Sequence, residues 1–329
     1  MLLFMKELDL RDKKILFQLD LNSRISYSEL AKKLNTSKEV VNYRINRLKE
    51  RKYITQFYTL INPGKFGFVA FKLYLNFQNI NEEIYTSMLN YLEEHKMVFW
   101  LASTNGVFEM MIGTWARNHY DFNYNFLAGF LNKFSKYISE KETSITLDNY
   151  QINRKWFLPK TTERKITDTG GKLENTPLDK IDYKILNIIA NNSRKAYTEI
   201  AKETNTTLQI VKYRIKRLEK EGVIMHYKLG VDPKMYGREF VKTIISLKDI
   251  TEERENQLIN YCLELKPTLN VVRCIGPWDL EIEMEIENME KYNKVMADIR
   301  EKFLDIIKSY KTAIIIAEPK VTFIPYLDV

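Results

Sequence analysis

The chain has 329 residues, 45% hydrophobic and 12% aromatic, which is material for two or more domains with cores of their own and excludes a disordered chain. No apolar run reaches the roughly 18 residues of a membrane span, and the opening Met-Leu-Leu-Phe-Met meets Lys6 and Glu7 too soon for a signal, so a cytoplasmic protein is expected. The formal net charge of +8 is concentrated: residues 1 to 60 and 178 to 228 together carry about +11, the remainder being slightly acidic.

Along the chain, Asp9 to Leu21 places Leu10, Ile15, Leu16 and Leu19 on a helical period and stops at Asn22-Ser23. A short helix follows from Ser26, with Glu29 three residues on as a capping box, through Leu30 and Ala31 to Leu34. Asn35 breaks the pattern. Thr36 to Arg51 then reads as a third helix, begun by a Thr36 and Glu39 capping box. Val41, Ile45 and Leu48 form one face of it, and Arg44, Arg47, Lys49 and Arg51 crowd the rest. Three helices with a tight turn before the third make a helix-turn-helix, whose third helix enters the major groove of DNA. Ile54 to Asn62 reads as extended, a wing or an arm to the next domain.

The next stretch reads strand, helix, strand, strand, helix, strand: 68–77, 81–94, 98–104, 110–115, 119–137 and 144–147, with Tyr150 to Leu158 trailing off. Phe122, Phe126, Phe130 and Phe134, four apart, are expected to be core. Residues 159–177 lack hydrophobic periodicity and contain Gly170-Gly171, so they read as a linker. Cys262 and Cys274, with eleven residues between them and no clustered histidine, indicate neither a disulfide framework nor a metal site.

After the linker the chain begins again. At a shift of 170 residues, about 20 of the 43 positions from 12 to 54 are identical, and Pro63, Gly67 and Gly106 align with Pro233, Gly237 and Gly276. The expected class is α+β: two tandem copies of a helix-turn-helix followed by a ferredoxin-like βαββαβ domain. The expected boundaries are 1–54 and 178–224 for the helical heads, 55–67 and 225–237 for hinge strands, and 68–158 and 238–329 for the sheet domains. An intramolecular pseudo-dimer is the natural use of such a duplication, and further self-association is left open.

These motifs resemble the Lrp/AsnC, or feast/famine, transcription regulators over nearly the whole chain, twice. The pattern stands as Leu178-Asp179-x-x-Asp182-x-x-Ile185-Leu186, Glu199-Ile200-Ala201-Lys202 and Val211-x-x-Arg214-Ile215-x-Arg217-Leu218. Copy one repeats it as Leu8-Asp9-x-x-Asp12-x-x-Ile15-Leu16 and Val41-x-x-Arg44-Ile45-x-Arg47-Leu48, with Lys52 where a glycine is usual. The resemblance implies a sheet domain that dimerises and binds an amino-acid effector near a glycine turn. That turn appears here as Gly276, Trp278 and Asp279, and as Gly106, Phe108 and Glu109.

The expected partner is double-stranded DNA, with no cofactor and no catalytic or metal-binding residue. Arg44, Arg47, Arg214 and Arg217 stand at equivalent places and are assigned to phosphate or, alternatively, to ion pairs with a neighbouring helix. Ser37, Lys38, Asn42 and Tyr43 in one copy, and Thr207, Gln209, Lys212 and Tyr213 in the other, are the candidate DNA-contacting positions beside them. Because most of these differ between copies, unlike half-sites are expected. Two rival readings stand beside this one. The first is an architectural or transcription-machinery-binding role without sequence preference. The second is a siroheme-decarboxylase-like enzyme, since those proteins resemble the same family; such an enzyme needs a histidine-bearing pocket, and His95, His119 and His226 are isolated in sequence.

Overall fold

A computed structural model describes residues 8–170 and 173–326. The first head comprises α1 (Leu10–Leu21), α2 (Tyr27–Lys33) and α3 (Lys38–Glu50); the second comprises α7 (Lys180–Ala190), α8 (Tyr197–Glu203) and α9 (Leu208–Lys220). Their cores are the periodic residues: Ile15, Leu16, Leu19, Leu30, Val41, Ile45 and Leu48 in one, and Ile185, Leu186, Ile189, Ile200, Val211, Ile215 and Leu218 in the other.

The turn between the second and third helices fixes where the third begins. Asn35 and Asn205 adopt left-handed conformations, and the amides of Thr36 and Thr206 reach back to the carbonyls of Ala31 and Ala201 at 3.0 and 2.9 Å. That is a Schellman ending, which keeps both threonines in the preceding turn. The caps therefore sit one residue later than the Thr36 and Thr206 expected: Ser37 accepts from the Val40 amide, and Thr207 from that of Ile210. The Ser26 cap stands where expected. The third helices end in the same motif, with Gly222 in the left-handed position of the second copy and Lys52 in that of the first.

β1 (Gln56–Ile61) and β7 (Ile224–Gly230) pair with each other as an antiparallel ribbon, so the extended stretch after each head is an arm. The ribbon crosses between copies: Leu229 packs into the first head's core and Ile61 into the second's. Tyr58 lies opposite Lys228, its own counterpart, which places the pseudo-dyad between them.

The sheet domain of copy one holds β2 (Val69–Phe77), α4 (Glu82–Glu94), β3 (Val98–Gly106), β4 (Met110–Ala116), α5 (His119–Phe122), α6 (Ala128–Phe134) and β5 (Ile138–Ile152). A five-residue π segment, Asn123–Leu127, joins α5 to α6, and the phenylalanine stripe stays buried through it. The last strand is 15 residues long, far beyond the 144–147 expected, because its polar residues pair along β2 and along the strand Thr268–Ile275 of copy two instead of ending in a loop. The linker also orders: β6 (Ile166–Asp168) pairs with β5, and the amides of Glu174 and Thr176 bond to the carbonyls of Gly64 and Lys65 at 2.8 and 2.9 Å.

Copy two contributes β8 (Glu239–Leu247), α10 (Glu252–Glu264), β9 (Thr268–Ile275), β10 (Leu280–Ile286), α11 (Met289–Lys302) and β11 (Ile307–Val321). The sheet runs β2-β4-β3-β11-β8-β10-β9-β5, and β5 pairs with β2, so eight strands close on themselves. Two seams, β3 with β11 and β5 with β9, join the copies. Helices cover the outside; Tyr74, Trp100, Phe108, Met111, Val272 and Trp278 are among the residues that fill the inside.

Candidate nucleic-acid interface

The faces of α3 and α9 opposite their cores are open. Ser37, Lys38, Asn42 and Tyr43 are exposed on one, and Thr207, Gln209, Lys212 and Tyr213 on the other, with Tyr43 and Tyr213 64% and 68% accessible. Asn46 and Lys216, one turn further along, are exposed on the same faces and belong to this surface. Spacing of four from Asn42 and Lys212 is the signal that points to them.

The four arginines are placed differently. Arg44 bonds Asp9 and Asp12 at 2.7 and 2.8 Å, and Arg47 bonds Asp12 at 2.6 Å. Arg214 bonds Asp179 at 2.7 Å and Asp182 at 2.9 Å, and Arg217 bonds Asp182. Burial pushes the Asp9 and Asp179 carboxyls up, yet the hydrogen bonds and charges of Arg44 and Arg214 together with backbone amides at the helix start outweigh it and hold both below the usual carboxylate range. Asp12 and Asp182 are buried, so these arginines fasten the third helix to the first. That is the ion-pairing alternative, which sequence alone left beside phosphate contact.

The two heads are clamped together. The hydroxyls of Ser23 and Ser193 meet at 2.6 Å, fully buried. Arg24 donates to the carbonyls of Ser193 and Lys195, and Arg194 to those of Ser23 and Ile25. Each guanidinium also lies over a tyrosine of the opposite head, Arg24 on Tyr197 at 4.5 Å and Arg194 on Tyr27 at 4.6 Å. The two third helices are thus presented in a fixed pairing, their exposed faces free of these contacts.

A family model described as winged helix-turn-helix DNA-binding matches residues 8–55 and 178–225. An uncharacterized HTH-type transcriptional regulator of Pyrococcus horikoshii is 30% identical over 129 residues, 39% of this chain and 83% of that protein. An HTH-type transcriptional regulator of Methanocaldococcus jannaschii is 31% identical over 121 residues, 37% of this chain and 80% of that protein. The chain belongs to the Lrp/AsnC family of transcription regulators, duplicated in tandem. As a member it is a DNA-binding transcription regulator of α+β fold, a helix-turn-helix plus ferredoxin-like domain twice over. The siroheme decarboxylase NirDL superposes with a TM-score of 0.64 over 97% of this chain and 94% of its own, at 12% identity, which is a likeness of fold. Among the described residues, no helix is long and apolar enough to cross a membrane.

In this Lrp/AsnC chain the glycine turns serve the seams. A Cβ on Gly106 would stand 2.4 Å from the Thr312 carbonyl, and one on Gly276 would stand 2.9 Å from that of Thr143. Their φ angles, +134° and +157°, fall where only glycine is at ease. Asp279 and Glu109 do the same work despite their different lengths, accepting from the amides of Leu247 and Phe77, the last residues of β8 and β2. Phe108 and Trp278 are buried inside the closed sheet. Of the six residues expected to hold an effector, Gly106 and Gly276 thus lie at the seams, Glu109 and Asp279 tie the turn to the end of a strand in their own copy, and Phe108 and Trp278 fill the inside of the sheet.

Proposed function

We propose that this regulator reads an asymmetric, non-palindromic DNA site as a single-chain pseudo-dimer. The observation that carries this reading is the clamped pair of heads, whose outer helix faces differ at matched positions: exposed Lys38 against half-buried Leu208, Asn42 against Lys212, and Asn46 against Lys216. Asparagine suits adenine and lysine suits guanine, whereas Leu208 can meet only a thymine methyl. Tyr43 and Tyr213, identical and exposed, supply a shared contact to the backbone that fixes register. Ser37, Thr207 and Gln209 complete the surface near the helix N-termini, where phosphate is favoured. The heads are expected to meet major grooves about one helical turn, roughly 34 Å, or a multiple of it, apart.

Selection from random duplexes tests this: two unlike half-sites at fixed spacing are expected, and a perfect palindrome overturns it. Asn42→Ala should relax preference in one half-site only, and Lys212→Ala in the other. Equal affinity for selected and random duplexes would favour the architectural role instead.

A DNA-binding rather than catalytic role is supported by the placement of His95, His119 and His226, none of which lines the cavity of about 600 Å³ that lies between the ribbon and the closed sheet. An unchanged absorption spectrum on adding an iron tetrapyrrole is the expected result.

A further inference from the structure

Between the ribbon and the closed sheet lies a cavity of about 600 Å³, within the range of small-molecule sites. Its walls come from both halves of the molecule. Tyr58 and Leu229 of the ribbon form part of one side, with Phe323 stacked on Tyr58 at 3.8 Å; Trp100 and the stacked pair Phe99 and Trp115 form another.

The polar groups in these walls are unevenly matched. Lys72 is bound to Glu281 at 2.7 Å, and Arg154 sits between Asp20 and Glu285, both at 2.9 Å. Lys234 gives its ammonium to the Ile316 carbonyl at 2.6 Å. Glu283 is held by Lys242 at 2.7 Å and by the Asn270 amide. Glu318 differs: it is accessible on the cavity side and receives a hydrogen bond from Trp100 Nε1 at 2.7 Å, and among the described residues it has no ion-pair partner within 4 Å, the Lys242 ammonium lying over the Trp100 ring instead. A second observation is independent of this carboxylate. Asn270, 92% buried by its 8% exposure, lines the same cavity and leaves its Oδ1 without a partner. The cations in the walls are engaged by other groups, so what Glu318 and Asn270 Oδ1 lack is a hydrogen-bond donor, which for Glu318 would carry positive charge.

The geometry points to a binding site for a small organic cation, an amine or amidinium on a flat apolar body, with its nitrogen on Glu318 and its body against Trp100 and the neighbouring rings. An anion of the same shape is disfavoured because it would face Glu318, Glu283 and Glu285. Since the ribbon is both a wall of the cavity and the strut of the two heads, filling the cavity alters their setting, and DNA affinity changes with it. This last clause rests on the regulator reading; binding itself does not.

The full chain is titrated by calorimetry with 2-phenylethylamine, 2-phenylethanol and 3-phenylpropionate, which share a body and differ in charge. One equivalent of the amine should bind at least about tenfold more tightly than either analogue, with a change in tryptophan emission from Trp100 and Trp115. Glu318→Gln, which keeps the acceptor for Trp100, should fold normally and lose the preference for the amine. No saturable binding up to millimolar amine, equal binding of all three probes, or an unchanged preference in Glu318→Gln overturns the site. Amine binding with unaltered affinity for the selected DNA overturns the coupling. Amine binding by a chain that never binds DNA leaves the site standing and removes the regulator reading.

Discussion

The hydroxyls of Ser23 and Ser193 hydrogen-bond to each other at 2.6 Å where the two heads meet, each the counterpart of the other at a shift of 170 residues. Each serine amide also bonds the opposite arm: Ser23 to the Tyr227 carbonyl at 3.0 Å, and Ser193 to that of Phe57 at 2.9 Å. Replacing one serine by alanine strands the other hydroxyl in a dry site, at a cost of about 1–3 kcal/mol. The double alanine variant should lose less than the sum of the singles. Additive losses in a denaturation cycle would mean that the pair does not act as a unit.

On the pseudo-dyad, Lys228 is buried opposite Tyr58, and burial lowers its pKa to about 8. A lysine lowered in this way penalises the fold fully below pH 8; the penalty fades as pH rises from 8 to 10.5 and is gone above that, where the unfolded lysine has also lost its proton. Lys228→Met should therefore raise Tm by a few degrees at pH 7, consistent with removing about 2–3 kcal/mol of burial penalty. The advantage should shrink above pH 8. A variant melting below the parent at pH 7 would contradict it.

His226 contributes at the acid end. Burial, with Lys228 and Lys165 nearby, lowers its pKa to about 2, and its Nε2 has no hydrogen-bond partner. The unfolded chain takes up this proton below about pH 6.5 while the folded one does not, so stability drops as pH falls from there. His226→Leu should flatten that limb, measured as denaturation midpoint against pH between 4 and 7.

Inside the closed sheet, Lys72 and Lys242 share the Glu281 carboxylate, each at 2.7 Å. The lysines are counterparts across the duplication, while the position matching Glu281 in copy one is Met111. Burial pushes the Glu281 carboxyl up, but the two ammonium groups prevail and hold it far below its usual range. Glu281→Gln leaves buried Lys72 facing a neutral amide and Lys242 with Glu283 alone, and should cost about 3–5 kcal/mol. Adding Lys72→Met to that variant should restore part of the loss.

Lys52 adopts a left-handed conformation, φ +61°, where the second copy has Gly222 at φ +70°. Lys52→Gly should stabilise the chain by about 0.5–1 kcal/mol, because a side chain there strains the backbone by about 1 kcal/mol or more. Gly222→Ala should destabilise it by a similar amount, and chemical denaturation reads both.

The repeat, the helix periodicities and the alternation of the strands lie in local residue order, so the sequence by itself determined the heads, the order of elements in each copy and the class of regulator. Periodicity tells which residues share a face; it does not tell what that face meets. Leu280-Glu281-Ile282-Glu283-Met284-Glu285-Ile286 alternates like a strand with one side in water, yet closure of the eight strands turns its glutamates inward among Lys72, Lys242 and Arg154. Whether Arg44 meets phosphate or carboxylate depended on Asp12, 32 residues away in the chain and 2.8 Å away in space. The glycine turns likewise have a meaning only against the strand of the other copy. Tertiary structure decided these matters because charge pairing, seam contacts and cavities depend on distances between segments that local sequence does not encode.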